Sequence, residues 1–149
     1  MLPPRIDAKA VHDTMGPYAD SQQSVEQRGE VYTELLGFVP PRIEARLHVT
    51  GTLDPQMLDL QEQIRAHGMY PKCFDVKTAQ LMLFGMLLMD LNDAATLHGI
   101  AARRAGATWE EMQAVINLCF LFRGLSAANR GAEILANIAK REAEPAQKS

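Results

Sequence analysis

Apolar residues along this chain recur mostly at helical spacing, and in one stretch they run together. Ser24-x-x-Gln27 predicts a capping box opening a helix with Val25, Val31, Tyr32, Leu35 and Leu36, closed by Gly37 as a C-cap glycine. Pro40-Pro41 starts a shorter segment with Ile43, Ala45, Leu47 and Val49, expected to stop at Thr50-Gly51. Asp54-Pro55 pairs an acceptor at N-cap with proline at N1, and the following helix bears Met57, Leu58, Leu60 and Ile64 and ends around His67-Gly68. Residues 70–74 read as a loop, after which Asp75 caps a helix that passes from Val76 through Gln80 into nine apolar residues, Leu81 to Met89. A surface helix shows one apolar stripe, whereas this one is apolar all round, which predicts burial on most sides. Leucine and methionine outnumber β-branched residues in it, which favours helix over buried strand.

Asp90-Leu91-Asn92-Asp93 supplies a turn and a new cap, followed by an alanine-rich helix over 94–105 with His98 and Ile100, and with Arg103 and Arg104 in its last turn. Gly106 suits a C-cap, and Thr108-Trp109-Glu110-Glu111 is a second capping box. The helix after it holds Met112, Val115, Ile116, Leu118, Cys119, Leu121 and Phe122, and a bend near Gly124 leads into a last helix with Leu125, Ala128, Ile134, Leu135 and Ile138. No strand pair with a hairpin turn is apparent. These signals predict an all-α protein of six to seven helices, with an N-terminal arm over 1–20 holding a short helix near 7–15, a single helical domain over 21–140, and a flexible tail over 141–149.

Composition changes this picture little. The 149 residues have a net charge of −3 and are 47% hydrophobic, so charge offers no attraction to nucleic acid or to an anionic membrane. The longest apolar run is about half of what a bilayer requires. With no apolar region behind the N-terminal residues, a signal peptide is not expected, and the reading is a cytoplasmic protein. Cys73 and Cys119 form no CxxC pair, and the four histidines, His12, His48, His67 and His98, show no i, i+4 pairing and no HExxH. Neither a metal nor a nucleotide, flavin or nicotinamide cofactor is expected.

Lys77-Thr78-Ala79-Gln80-Leu81, Leu97-His98, Ala105-Gly106-Ala107-Thr108-Trp109-Glu110-Glu111 and Ala127-Ala128-Asn129, in that order and spacing, resemble the carboxymuconolactone decarboxylase family, which includes AhpD-like alkylhydroperoxidases. The segment around 28–47 is similar to the decarboxylase branch. The resemblance implies an AhpD-like helical fold, self-association as a trimer or hexamer, and a small carboxylated or lactone-type substrate from aromatic catabolism. The redox branch bears Cys-x-x-Cys-x-x-x-His with an upstream glutamate. Here the histidine position falls on His98, the two cysteine positions on Leu91 and Ala94, and the glutamate on Ala79 or Gln80. A dithiol peroxidase needs two thiols within bridging reach, and these positions lack them.

His98 is the leading acid/base candidate, since an imidazole titrates near neutrality and the surrounding alanines leave it room. It reads equally as a satisfied histidine in a helix interface. Gln80, a polar group at the edge of an apolar run, must find a partner or a ligand if buried, and is the second catalytic candidate. Arg103, Arg123, His67 and Asn129 are the substrate-binding candidates, with Arg42 a further cation, although such groups are more often solvated or paired. Asp90, Asn92 and Asp93 read as caps, Cys119 as a small buried hydrophobe, and Cys73 as an isolated loop thiol. Two functions compete: a non-redox lyase-like enzyme, and a catalytically silent helical oligomer or scaffold.

Overall fold

The computed structural model describes residues 3–144, and all regular structure among them is helical. The described residues form eight helices: α1 (Ala8–Met15), α2 (Val25–Leu36), α3 (Pro41–Leu53), α4 (Pro55–Met69), α5 (Val76–Met89), α6 (Ala95–Arg104), α7 (Trp109–Arg123) and α8 (Leu125–Ala143). The expectation of six to seven helices is therefore corrected to eight. The short pieces α1 and α3 are both complete helices, each fixed by local signals. Asp7 caps α1 through the Ala10 amide, and proline at N1 starts α3. Of the tail expected over 141–149, residues 141–143 close α8, and 145–149 lie outside the described residues, as do the first two residues of the arm.

Contacts divide the chain at Met69–Tyr70 into two compact units. In the N-terminal unit, α3 packs against α1, α2 and α4. The capping box of Ser24 and Gln27 opens α2, and Gly37, at φ 85°, closes it in the left-handed conformation that glycine adopts without penalty. Gly51 behaves differently from its sequence reading. It lies inside α3, which continues to Leu53, because the ring of Tyr18 occupies the place of a side chain: a Cβ here would sit 2.2 Å from Tyr18 Cε2. The glycine serves close approach and not helix termination. Tyr32, Leu36, Pro40, Pro41, Leu47 and Leu58 are buried, and charged side chains join them in the interior.

Two ion clusters do so. Arg28 donates from Nε to Asp20 Oδ2 at 2.7 Å and from Nη2 to Asp59 Oδ1 at 3.1 Å, with the Arg28 and Asp20 side chains almost wholly buried. Burial opposes ionisation of Asp20, but Arg28 and the amides of Gln22 and Gln23 outweigh it and hold the carboxyl below its ordinary range. In the second cluster Tyr32 Oη donates to Glu62 Oε1 at 2.7 Å, Arg46 donates to both, and Arg65 donates to Glu62 Oε2 at 3.1 Å while lying over the Tyr32 ring. Burial and the Glu62 carboxylate push the Tyr32 phenol up to about 12.

The C-terminal unit is assembled around α5 and α6, with α7 packed on α5 and α8 on all three. Asp75 accepts the Thr78 amide at 2.7 Å, and Thr108 and Glu111 complete the second capping box. Ala79, Phe84, Leu88, Ile100, Met112, Ile116, Ile134 and Ile138 are buried. Gly99 admits the meeting of three helices, since a Cβ there would lie 2.9 Å from Ile138 Cδ1 and 3.4 Å from Met112 Cε. Contrary to the all-round apolar pattern, α5 buries one face through Ala79, Gln80, Phe84 and Leu88, and Met82 and Met86 are exposed. No helix among the described residues is long and apolar enough to cross a membrane.

Candidate functional site

His98 and Gln80 meet. Gln80 stands on the first half of α5, within the buried face that continues through Phe84 and Leu88 at a spacing of four. His98 stands one turn into α6, next to Gly99, where the absence of a side chain lets α5, α7 and α8 close in. The two side chains join across the α5–α6 interface, His98 Nδ1 lying 2.7 Å from Gln80 Oε1. The amide oxygen can only accept, so Nδ1 bears the proton and Nε2 keeps the lone pair. Gln80 is wholly buried and His98 half-buried.

The contact fixes the tautomer, and burial sets the electrostatics of the ring. Burial alone holds the His98 pKa below its ordinary value, so the imidazole is neutral at neutral pH. A neutral ring with a fixed tautomer is competent to take a proton at Nε2, and once protonated it is a correspondingly strong acid.

The remaining candidates are dispersed. Arg103, a turn and a half further along α6, is bound by structure: it donates to Glu142 Oε1 at 3.0 Å and to Oε2 at 2.9 Å, also to the Ala107 carbonyl, and its guanidinium lies 3.9 Å from the centroid of the Trp109 ring. Such a bidentate, stacked arginine ties α6 to α8 and to the start of α7. Arg123 is exposed in the last turn of α7, Asn129 is exposed on α8, and His67 is exposed in the last turn of α4 in the N-terminal unit. Among the turn residues, Asn92 Oδ1 accepts the Ala94 amide at 2.9 Å and Asp93 pairs with Arg130 at 2.7 Å. Cys119 is buried with its thiol on the Gly85 carbonyl, and burial raises its pKa, whereas Cys73 is exposed. No group of three or more metal-ligating side chains occurs among the described residues.

Two arrangements escape a reading of the sequence. His12 and His48, 36 positions apart, are hydrogen-bonded to each other. A cavity of about 460 Å³ in the N-terminal unit is lined by Arg5, Glu26, Glu30, Glu44, Leu47 and His48, among others. No local motif announces either, since the pair forms where α1 meets α3 and the cavity where α2 and Arg5 meet α3. In comparisons with known proteins, the chain matches no family model, no curated protein and no solved structure.

Proposed function

We propose that the chain is a non-redox enzyme of the decarboxylase or lyase type, acting on a small carboxylated or lactone-type metabolite in the cytoplasm, with His98 as its acid/base. The supporting observation is the 2.7 Å contact between His98 Nδ1 and the wholly buried Gln80. A glutamine placed among apolar residues and used to orient an imidazole is the arrangement a general base requires, the third group fixing tautomer and direction. In the reaction the neutral ring of His98 takes a proton from water at Nε2, the carbon–carboxylate bond breaks with loss of CO₂, and the electron pair left on carbon takes that proton from the imidazolium, which returns to its neutral form. The hydroxide left by the water combines with CO₂ as bicarbonate. The anion-holding cation is not Arg103 in this reading, because Glu142 and Trp109 already occupy it. Arg123, exposed in the same unit, is the other arginine among the substrate-binding candidates.

The test is CO₂ release from a panel of carboxylated lactones by the wild-type chain and by His98→Ala and Gln80→Met. Loss of turnover by about 10²-fold or more in His98→Ala is the expected result. Gln80→Met should shift the pH profile, since the ring loses the acceptor that fixes its tautomer. Undiminished turnover in His98→Ala overturns the assignment.

A second reading, the catalytically silent oligomer, draws on another observation. Leu118, Leu121, Phe122 and Leu125 on α7 and α8 are exposed, Phe122 by 87%, as are Met82 and Met86 on α5. Apolar exposure of this kind marks association surfaces. Trimer or hexamer formation is expected under either reading, and a monomer in light scattering would remove it from both.

A further inference from the structure

The segment from Arg5 to Met15 rests on the rest of its unit through half-buried residues, Ile6, Ala8, Val11 and His12, and through polar contacts to α3. No residue of α1 is buried. Arg5 and His12 carry its side-chain contacts to α3. Arg5 pairs with Glu44 on α3, Nη2 to Oε1 at 2.8 Å and Nε to Oε2 at 3.2 Å. His12 Nε2 lies 3.0 Å from His48 Nδ1, also on α3. Immediately after α1 comes Gly16, with φ 108°, and then Tyr18, whose ring is seated against Gly51 while the Ala19 amide donates to the Gly51 carbonyl at 3.1 Å. The chain is thus anchored just beyond a glycine in a conformation other residues avoid, which is where a hinge belongs.

The protons of the pair can be placed. The Gly16 carbonyl, 3.2 Å from His12 Nδ1, can only accept, and Thr52 Oγ1 lies near the same nitrogen at 3.4 Å. His12 is therefore protonated on Nδ1 and offers Nε2 as acceptor, so His48 donates from its own Nδ1. One added proton is tolerated, because His48 can then hold its hydrogen on Nε2 and accept. A second is not, since two N–H groups would face each other at 3.0 Å between two cations.

We propose that the segment from Arg5 to Met15 is a strap hinged at Gly16, and that double protonation of the His12–His48 pair releases it and opens the cavity that Arg5 and His48 line. The charged groups around the pair set the threshold. Burial and His12 disfavour the charged form of His48, while Glu44 of α3 and Glu26 of α2 favour it, with a net lowering from the ordinary value of 6.5. Arg5 engages Glu44, the edge of the Tyr18 ring meets His12, and Lys9 and Asp13 on α1 pair with each other. A group whose pKa is lowered in the closed form resists a proton that the open form accepts, so closure is complete above the ordinary value of 6.5 and weakens as pH falls below it, down to the lowered value. Release depends on residues of the N-terminal unit alone and is independent of any reaction at His98.

Amide hydrogen exchange on the whole chain tests this, expressed as protection corrected for intrinsic rates. Between about pH 7.5 and about pH 4.5, protection of the Val11 and Gly16 amides should fall by about tenfold or more, with α2 and α3 unchanged within about twofold. His48→Gln should abolish the pH dependence. Arg5→Gln, which keeps both histidines and removes the ion pair with Glu44, should move release to higher pH. Long-range ¹H–¹⁵N spectra near neutrality should show both rings protonated on Nδ1. Protection that is constant with pH, that falls equally across α2 and α3, or that keeps its pH dependence in His48→Gln overturns the proposal, as does an unshifted release in Arg5→Gln.

Discussion

The N-terminal unit closes around charge and the C-terminal unit around carbon. In the first, Arg28 lies between Asp20 and Asp59, and Glu62 gathers Tyr32, Arg46 and Arg65. In the second, Phe84, Met112 and Ile138 converge on Gly99, and the contact between the wholly buried Gln80 and His98 is a neutral one. The difference matters because the two kinds of interior fail differently. An apolar core loses stability in proportion to what is removed, whereas a buried ion cluster fails when it is left half-complete.

Arg28→Ala should therefore be the most damaging single change in the N-terminal unit. It strands Asp20 as a buried, uncompensated carboxylate, at about 3–5 kcal/mol by urea unfolding. Replacing both partners, as in Arg28→Met with Asp20→Asn, should recover most of that loss. If the double variant is no better than the single one, burial of unpaired charge is not what destabilises the unit. Phe84→Ala is the counterpart in the C-terminal unit, with a similar loss of about 3–5 kcal/mol from cavity formation. Here a single shape-preserving swap suffices, and Leu88→Met should stay under about 1.5 kcal/mol.

The smallest effect concerns pH and separates the histidine His98 of the C-terminal unit from the carboxylates Asp20 and Glu62 of the N-terminal one. Above the ordinary histidine value of 6.5, His98 is neutral in both folded and unfolded chains and contributes nothing to pH dependence. As pH falls below it, the unfolded chain takes up a proton that the folded unit resists, so the C-terminal unit loses stability until the lowered folded value is passed. Asp20 and Glu62 have lowered values also, but as carboxylates, so the stability they confer is lost only in the acid range as pH falls through their folded pKa values. Exchange-detected stability of α5–α8 should thus soften near pH 6, and His98→Gln should remove that step. A step that persists in His98→Gln would place the titration elsewhere.

Much of the helical outline was legible because its determinants are local. Ser24 with Gln27, Asp54 with Pro55, Asp75, and Thr108 with Glu111 all act within one turn, and the structure places a cap or a helix start at each. What escaped was nonlocal. Gly51 reads as a stop until Tyr18 is seen filling its side-chain position. Nothing near Arg28 in the sequence marks it as buried, because Asp20 and Asp59, 8 and 31 positions away, are brought to it only by folding. Met82 and Met86 read as core because an apolar run does not reveal that its neighbours cover only one face. At the candidate site, Gln80 was marked by its own context, a polar residue that burial obliges to find a partner. Arg103 was not, since nothing near it in the sequence foretells Glu142, 39 positions on.

The stacking of Arg103 on Trp109 has a practical consequence. Trp109 is the chain's one tryptophan, and it belongs to the C-terminal unit. Indole emission is accordingly a reporter built into that unit alone, and Tyr18 and Tyr32 belong to the other. Melting followed simultaneously by tryptophan emission and by helical circular dichroism would yield two superimposable curves if the chain unfolds in one step, and two displaced ones if each unit unfolds on its own.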